Sequence, residues 1–102
     1  MYKRQPELVV LHALADEETY GYELIGKIRR TSAGAIDLSQ GVVYPLLHRL
    51  WSERCVARRE RSIGGRRRVC YKLTRKGRAR RERLLAEWRS MKRGIERVVA
   101  LG

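Results

Sequence analysis

The sequence predicts a mainly helical α+β domain, and three observations predict it. Apolar residues recur at steps of three and four in several separate stretches, which is the spacing of one face of an α-helix. Late in the chain, Val69, Tyr71 and Leu73 alternate with Arg68, Cys70 and Lys72, which is the period of a strand, and Gly64-Gly65 offers a turn just before them. At 102 residues, with 43% apolar and 34% charged side chains, the chain can build one modest core and is too apolar for a disordered tail.

Each element has a local cause. Pro6 suits the first turn of a helix that continues through Leu8, Leu11, His12 and Ala15. Asp16-Glu17-Glu18 breaks the pattern and favours the positive end of a second helix, for which Thr19 is the expected N-cap. Gly21, Leu24, Ile25 and Ile28 form the core face of that helix, which ends near Thr31-Ser32-Ala33-Gly34. Ser39 caps a third helix carrying Val43, Leu46, Leu47 and Leu50, and Pro45 should kink it by removing the bond to the Gly41 carbonyl. No glycine marks the end of this helix near Arg54-Cys55-Val56.

Strands are expected over 56–61 and 67–73, with Thr74 capping a final helix. A turn at Gly64-Gly65 sets Cys70 opposite Arg59 and leaves Cys55 about 13 Å away along the strand, beyond disulfide reach. Both thiols are therefore expected to be free. In the last helix Leu84, Trp88, Met91, Ile95 and Val98 form a short heptad seam that calls for a partner helix.

The charge is lopsided. From Arg54 to Gly102 there are eighteen Lys or Arg against four acids, whereas Met1 to Glu53 holds six against seven. Nearly all of the formal +13 thus sits on the hairpin and last helix, where a polyanion would bind with release of counterions. No apolar run approaches the ~20 residues of a membrane span, and no leader segment is visible, so a cytoplasmic protein is expected. His12 and His48 lack further ligands at metal-binding spacing. Nucleophile-base sets, phosphate-cradling glycine loops and paired carboxylates are also missing, so neither an enzyme nor a cofactor is expected.

Three helices, a basic hairpin and a further helix follow the order of a winged helix-turn-helix with a C-terminal dimerisation helix. The DNA-binding unit is expected over 1–73, with its wing at about 56–73, and the dimerisation helix over 74–102. The third helix would fit a major groove about 12 Å wide while the hairpin reaches neighbouring phosphates or the minor groove.

Three segments carry a resemblance to a known family. They are Tyr20-Gly21-Tyr22-Glu23-Leu24, then Leu38-Ser39-Gln40-Gly41-Val42-Val43-Tyr44-Pro45-Leu46-Leu47-His48-Arg49-Leu50, then Gly64-Gly65-Arg66-Arg67-Arg68-Val69-Cys70-Tyr71-Lys72-Leu73-Thr74 with Lys76-Gly77. In this order and spacing the chain resembles the PadR family of bacterial transcriptional regulators from about Leu8 to its end. The resemblance implies a homodimer that represses transcription by reading a palindromic operator, often at its own promoter or at a neighbouring detoxification or transport gene. It also implies the compact subgroup, in which the first and last helices of both subunits interlock. Some members hold an aromatic compound between tryptophans, and Trp88 falls where such a residue would lie. Three departures stand out: Val42 for a usual Thr, Arg54-Cys55 for a usual Gly-Leu, and Trp51 for a usual acid.

The expected DNA-binding residues are Ser39, Gln40, Gly41, Val42, Tyr44, Arg49, Arg66, Arg67, Arg68 and Lys72. Gln40 has the geometry to pair with adenine, Val42 to pack on a thymine methyl, and Tyr44 to meet a phosphate. Competing roles are capping for Ser39, core packing for Tyr44 and an internal salt bridge for Arg49. For Lys72, Arg75, Lys76 and Arg78 a solvated face competes with phosphate contact. The expected dimer interface is Leu8, Leu11, Leu84, Trp88, Met91, Ile95 and Val98, with Trp88 serving as packing anchor or as a stacking surface for a small aromatic effector. The alternatives to a repressor are an architectural protein coating DNA by charge alone, and a membrane-surface binder using the last helix; the narrow seam disfavours the second.

Overall fold

The computed structural model describes residues 5–101, so the outermost residues of the two expected units, 1–4 and 102, lie outside the described residues. The elements are α1 (Gln5–Ala13), β1 (Thr19–Tyr20), α2 (Gly21–Thr31), α3 (Gln40–Ser52), β2 (Val56–Ile63), β3 (Arg66–Leu73) and α4 (Arg75–Leu101). The strands form an antiparallel sheet in the order β1-β3-β2. This is a winged helix architecture with a long terminal helix.

The periodic apolar faces converge as one core. Leu8, Val10 and Leu11 of α1, Leu24 and Ile28 of α2, and Val43, Leu46, Leu47 and Leu50 of α3 meet Val56 and Leu73 of the hairpin and Leu84 of α4. Burial of each leucine removes its side chain from water and contributes about 2 kcal/mol. The helices thus hold each other through shared apolar surface rather than through intrinsic propensity.

The hairpin turns at Gly64 and Gly65, both at positive φ (56° and 79°), as a two-residue turn of this hand requires. Arg59 pairs with Cys70, as the turn position implied, and both cysteines are free and buried. The strands run longer than expected, because the two-residue turn lets Ile63 and Arg66 pair as well. The polar face expected for β3 is interrupted at Cys70, which is only 1% exposed.

One local expectation is corrected. Thr19 does not cap α2; it pairs with Tyr71 as part of β1, its hydroxyl donates to the Glu17 carbonyl at 3.1 Å, and Tyr20 takes the N-cap position. A strand of two residues has no period to read, and only β3 supplies its hydrogen bonds. Pro45 lies inside α3, which runs as one helix from Gln40 to Ser52. The carbonyl that it leaves without an intrahelical partner belongs to Gly41, an exposed residue on which water can bond.

The end of α3 and the start of α4 are locked together. The Cys55 amide donates to the Leu50 carbonyl at 2.8 Å and the Arg54 amide to the Trp51 carbonyl at 3.0 Å, a Schellman closure with Arg54 in the left-handed position. Thr74 Oγ1 donates to the Arg54 carbonyl at 2.6 Å and accepts the Gly77 amide at 3.0 Å, so it caps α4 as expected. Gly77 presses on this corner, and a Cβ there would collide with the Cys55 carbonyl oxygen. Arg80 of α4 then hydrogen-bonds Glu53 and reaches Glu7 Oε1 at 3.3 Å.

Beyond Leu85, α4 leaves the body. Its 27 residues span about 40 Å, and the protein measures 58 × 28 × 22 Å. Ile95, Val98, Val99 and Leu101 are 55–91% exposed.

Candidate nucleic-acid interface

The core face of α3 dictates what its other surfaces present. With Val43, Leu47 and Leu50 inward, the leading turn sets Ser39, Gln40, Gly41, Val42 and Tyr44 at the surface. The Ser39 carbonyl accepts the Val42 and Val43 amides at 3.1 and 3.0 Å, while its hydroxyl makes no capping bond. That hydroxyl and the exposed Gln40 amide are therefore available to an outside partner. Val42 and Tyr44 remain 42% and 39% exposed, large values for an aliphatic and an aromatic side chain.

The start of α3, the start of α2 and β3 enclose a cleft of about 290 Å³, where Gly21, Tyr22, Tyr44, Arg67, Arg68 and Tyr71 meet. Gly21 permits the approach: a Cβ there would lie 3.3 Å from both the Tyr44 and the Tyr71 rings. Tyr44 thus serves as a half-buried wall of the cleft. The fold brings the expected wing residues Arg67 and Arg68 beside Tyr44 of α3, with Arg66 exposed beside the hairpin turn.

Two expected contacts are not brought there. Arg49, whose side chain is 48% exposed, lies 3.5 Å from Glu7 and 3.6 Å from Glu53, so the internal salt bridge weighed for it is present. Lys72 is exposed in β3 on the opposite pleat to Tyr71, away from the cleft. Of the flanking basic residues, Arg78 donates to the Ala15 carbonyl at 3.3 Å.

Other features escaped sequence reasoning. Trp51 has a partner after all, the Arg58 guanidinium 5.0 Å above its ring, with His48 at 5.8 Å. Glu18 gathers Arg59 at 2.8 Å, Arg61 at 3.3 Å and the Cys70 thiol at 3.1 Å. The thiol's hydrogen bond, then that of Arg59, holds the Glu18 carboxyl below its ordinary range, while burial pushes the Cys70 thiol up. The turn position already set Cys70 opposite Arg59, but only the docking of β1 brings Glu18 to them.

Among the described residues no group of His, Cys, Asp and Glu is arranged to hold a metal, and no helix is long and apolar enough to cross a membrane.

Residues 10–83 match the sequence pattern of the Transcriptional regulator PadR-like family. Over 72 residues the chain is 36% identical to the transcriptional regulator Rv3488 of Mycobacterium tuberculosis, covering 71% of this chain and 64% of that relative. The chain belongs to the PadR-like family. Members of this family are transcriptional regulators, not enzymes.

Solved structures of transcriptional regulators agree in fold. A transcriptional regulator from Clostridium thermocellum superposes with a TM-score of 0.82 at 22% identity, covering 89% of each chain. Bacillus subtilis PadR, solved in complex with operator DNA, superposes with a TM-score of 0.75 at 21% identity, over 82% of this chain and 48% of that one. Among the departures from the usual PadR-like pattern, the structure accounts for Arg54 as a helix-closing residue and for Trp51 as the seat of Arg58.

Proposed function

We propose that this PadR-like regulator acts as a homodimeric repressor that reads a palindromic operator through α3 and the β2–β3 wing. One observation carries the reading. Ser39, whose hydroxyl makes no capping bond, and exposed Gln40 open α3, and wing arginines Arg66 and Arg68 have no carboxylate partner among the described residues, Arg68 lining the cleft beside Tyr44, on a protein of net charge +13. Such charge supplies affinity for phosphates, and groups on the leading turn of a recognition helix supply sequence discrimination. The operator complex of Bacillus subtilis PadR supports the same reading by analogy of fold.

The homodimer rests on α4. Leu8, Leu11 and Leu84, expected at the interface, are 8%, 0% and 0% exposed within the protomer, so they have next to no surface left to offer. Trp88, Met91, Ile95 and Val98 remain, joined by Val99 and Leu101. An apolar strip at heptad spacing on an overhanging helix is what a second copy would cover. A small aromatic effector would stack on Trp88, 36% exposed with Lys92 5.4 Å from its ring, and quench its fluorescence. The reading places the protein in the bacterial cytoplasm, with DNA, its own second copy and that effector as partners.

Retention of genomic fragments at about 150 mM salt, followed by sequencing, tests the proposal, since this salt suppresses loose electrostatic binding. Enrichment of a discrete inverted repeat is expected. Gln40→Ala should then lower affinity for that repeat about tenfold and leave random DNA unaffected, as loss of a bidentate base contact does. Even retention across the genome would instead favour an architectural, charge-driven DNA coat.

A further inference from the structure

The wing arginines are not equivalent. Arg58 and Arg67 share Glu60, at 3.9 and 3.4 Å, and Arg59 and Arg61 share Glu18, at 2.8 and 3.3 Å. Arg67 is also 85% exposed, so its guanidinium is loosely held as well as partly neutralised. Arg68 differs in both respects. It has no carboxylate within ion-pair distance among the described residues, and its guanidinium lies 4.5 Å from the centre of the Tyr22 ring.

That ring is itself supported. Tyr22 stacks on Tyr20, with centroids 5.7 Å apart and planes inclined by 28°. Tyr20 belongs to β1 and pairs with Cys70, two residues along β3 from Arg68. A strand-anchored pair of rings therefore carries a half-buried guanidinium to the edge of the cleft between α2, α3 and β3. A cation held on an aromatic face keeps its N–H donors at the guanidinium edge free, and prior ordering lowers the entropy lost when an anion binds.

We infer that Tyr22 is a positioning residue for DNA: its ring holds Arg68 at the mouth of this cleft to engage a backbone phosphate, and Arg68 rather than Arg67 is the wing arginine with the larger share in phosphate neutralisation. The inference rests on the DNA-binding reading above and deepens it. Transferring Arg67 to a phosphate exchanges one anion for another, because Glu60 is given up. Arg68 gives up no carboxylate, so its contact adds to the number of counterions released.

The test uses the full chain, a short random-sequence duplex carrying a fluorophore, and anisotropy titrations over a series of salt concentrations. A phosphate contact needs no operator, so a random duplex suffices. Arg68→Ala should flatten the dependence of log affinity on log salt by about 1, and Arg67→Ala by clearly less. Tyr22→Ala should weaken binding about threefold, the scale of an exposed cation–π contact. Tyr22→Phe should restore wild-type binding, because the ring and its stack remain. Tyr22 is 53% exposed, so these variants should melt like the wild type. Salt slopes for Arg68→Ala equal to wild type, or Tyr22→Phe as weak as Tyr22→Ala, would overturn the inference. If the wild-type protein bound no duplex at all, the DNA reading itself would fail instead.

Discussion

Arg54 occupies the left-handed region at φ 63°, a conformation that costs a residue bearing a Cβ about 1–2 kcal/mol. It does so because the Schellman closure of α3 needs that turn and because Thr74 bonds the Arg54 carbonyl. Glycine at this position would relieve the strain, and its greater freedom in the unfolded chain would take back about 0.5–1 kcal/mol. Arg54→Gly should therefore stabilise the fold by about 0.5–1 kcal/mol. A rise in the urea midpoint, with an unchanged slope, is the expected readout; a fall would mean that the arginine side chain has a role in the native state. The sequence shows that a glycine is missing, but not that the closure forms without it. Backbone bonds to Leu50 and Trp51 impose the turn from outside the residue's own preference.

At the scale of elements, α1, α3 and α4 are joined by an ionic knot. Arg80, whose side chain is 19% exposed, bonds Glu53 and Glu7, while Arg49 reaches the same two carboxylates from α3. The Arg80 hydrogen bond is the main reason that the Glu53 carboxyl titrates below its ordinary 4.5. A carboxyl whose folded pKa lies below its unfolded value stabilises the fold above that unfolded value. The contribution is lost as pH falls through the folded one. Acidification below pH 4.5 should thus loosen the wild-type protein more than a Glu53→Gln variant. Urea unfolding at neutral and acid pH checks this, and parallel losses in both proteins would dismiss Glu53 as a source of the pH dependence. Arg80→Ala should cost on the order of 2 kcal/mol at neutral pH, less than a fully buried pair because Arg49 still faces both acids.

For the whole molecule, the terminal helix would tie the proposed recognition to the proposed assembly. Gly77 and Thr74 fasten α4 to the closing turn of α3, so the orientation of the overhang and that of α3 are set by one corner. A twofold pairing of the overhangs would then fix the separation of two recognition helices, the quantity that half-site spacing must match. Introducing like charges into the strip with the double variant Ile95→Asp, Val98→Asp should leave the winged helix folded but yield a single subunit in sedimentation at micromolar concentration. Operator affinity should fall at least a hundredfold, because the second half-site no longer adds its contacts. A double variant that still sediments as a pair would move the interface elsewhere.

The class of fold, the order of its helices and hairpin, the hairpin register and the asymmetry of charge all follow from local causes: periodicity, turn glycines, caps and a simple count of ionisable side chains. Tertiary structure decided which of those charges are free. Arg49 had its partners in Glu7 and Glu53, and Arg59 found Glu18, forty-one residues away, while Arg68 was left with a tyrosine ring. It also showed that Leu8, Leu11 and Leu84 face inward, leaving the outer half of α4 as the apolar surface. The reason is physical: a helix or strand is chosen by neighbours a few positions apart, whereas an ion pair or a buried face depends on groups that meet only after the elements have packed.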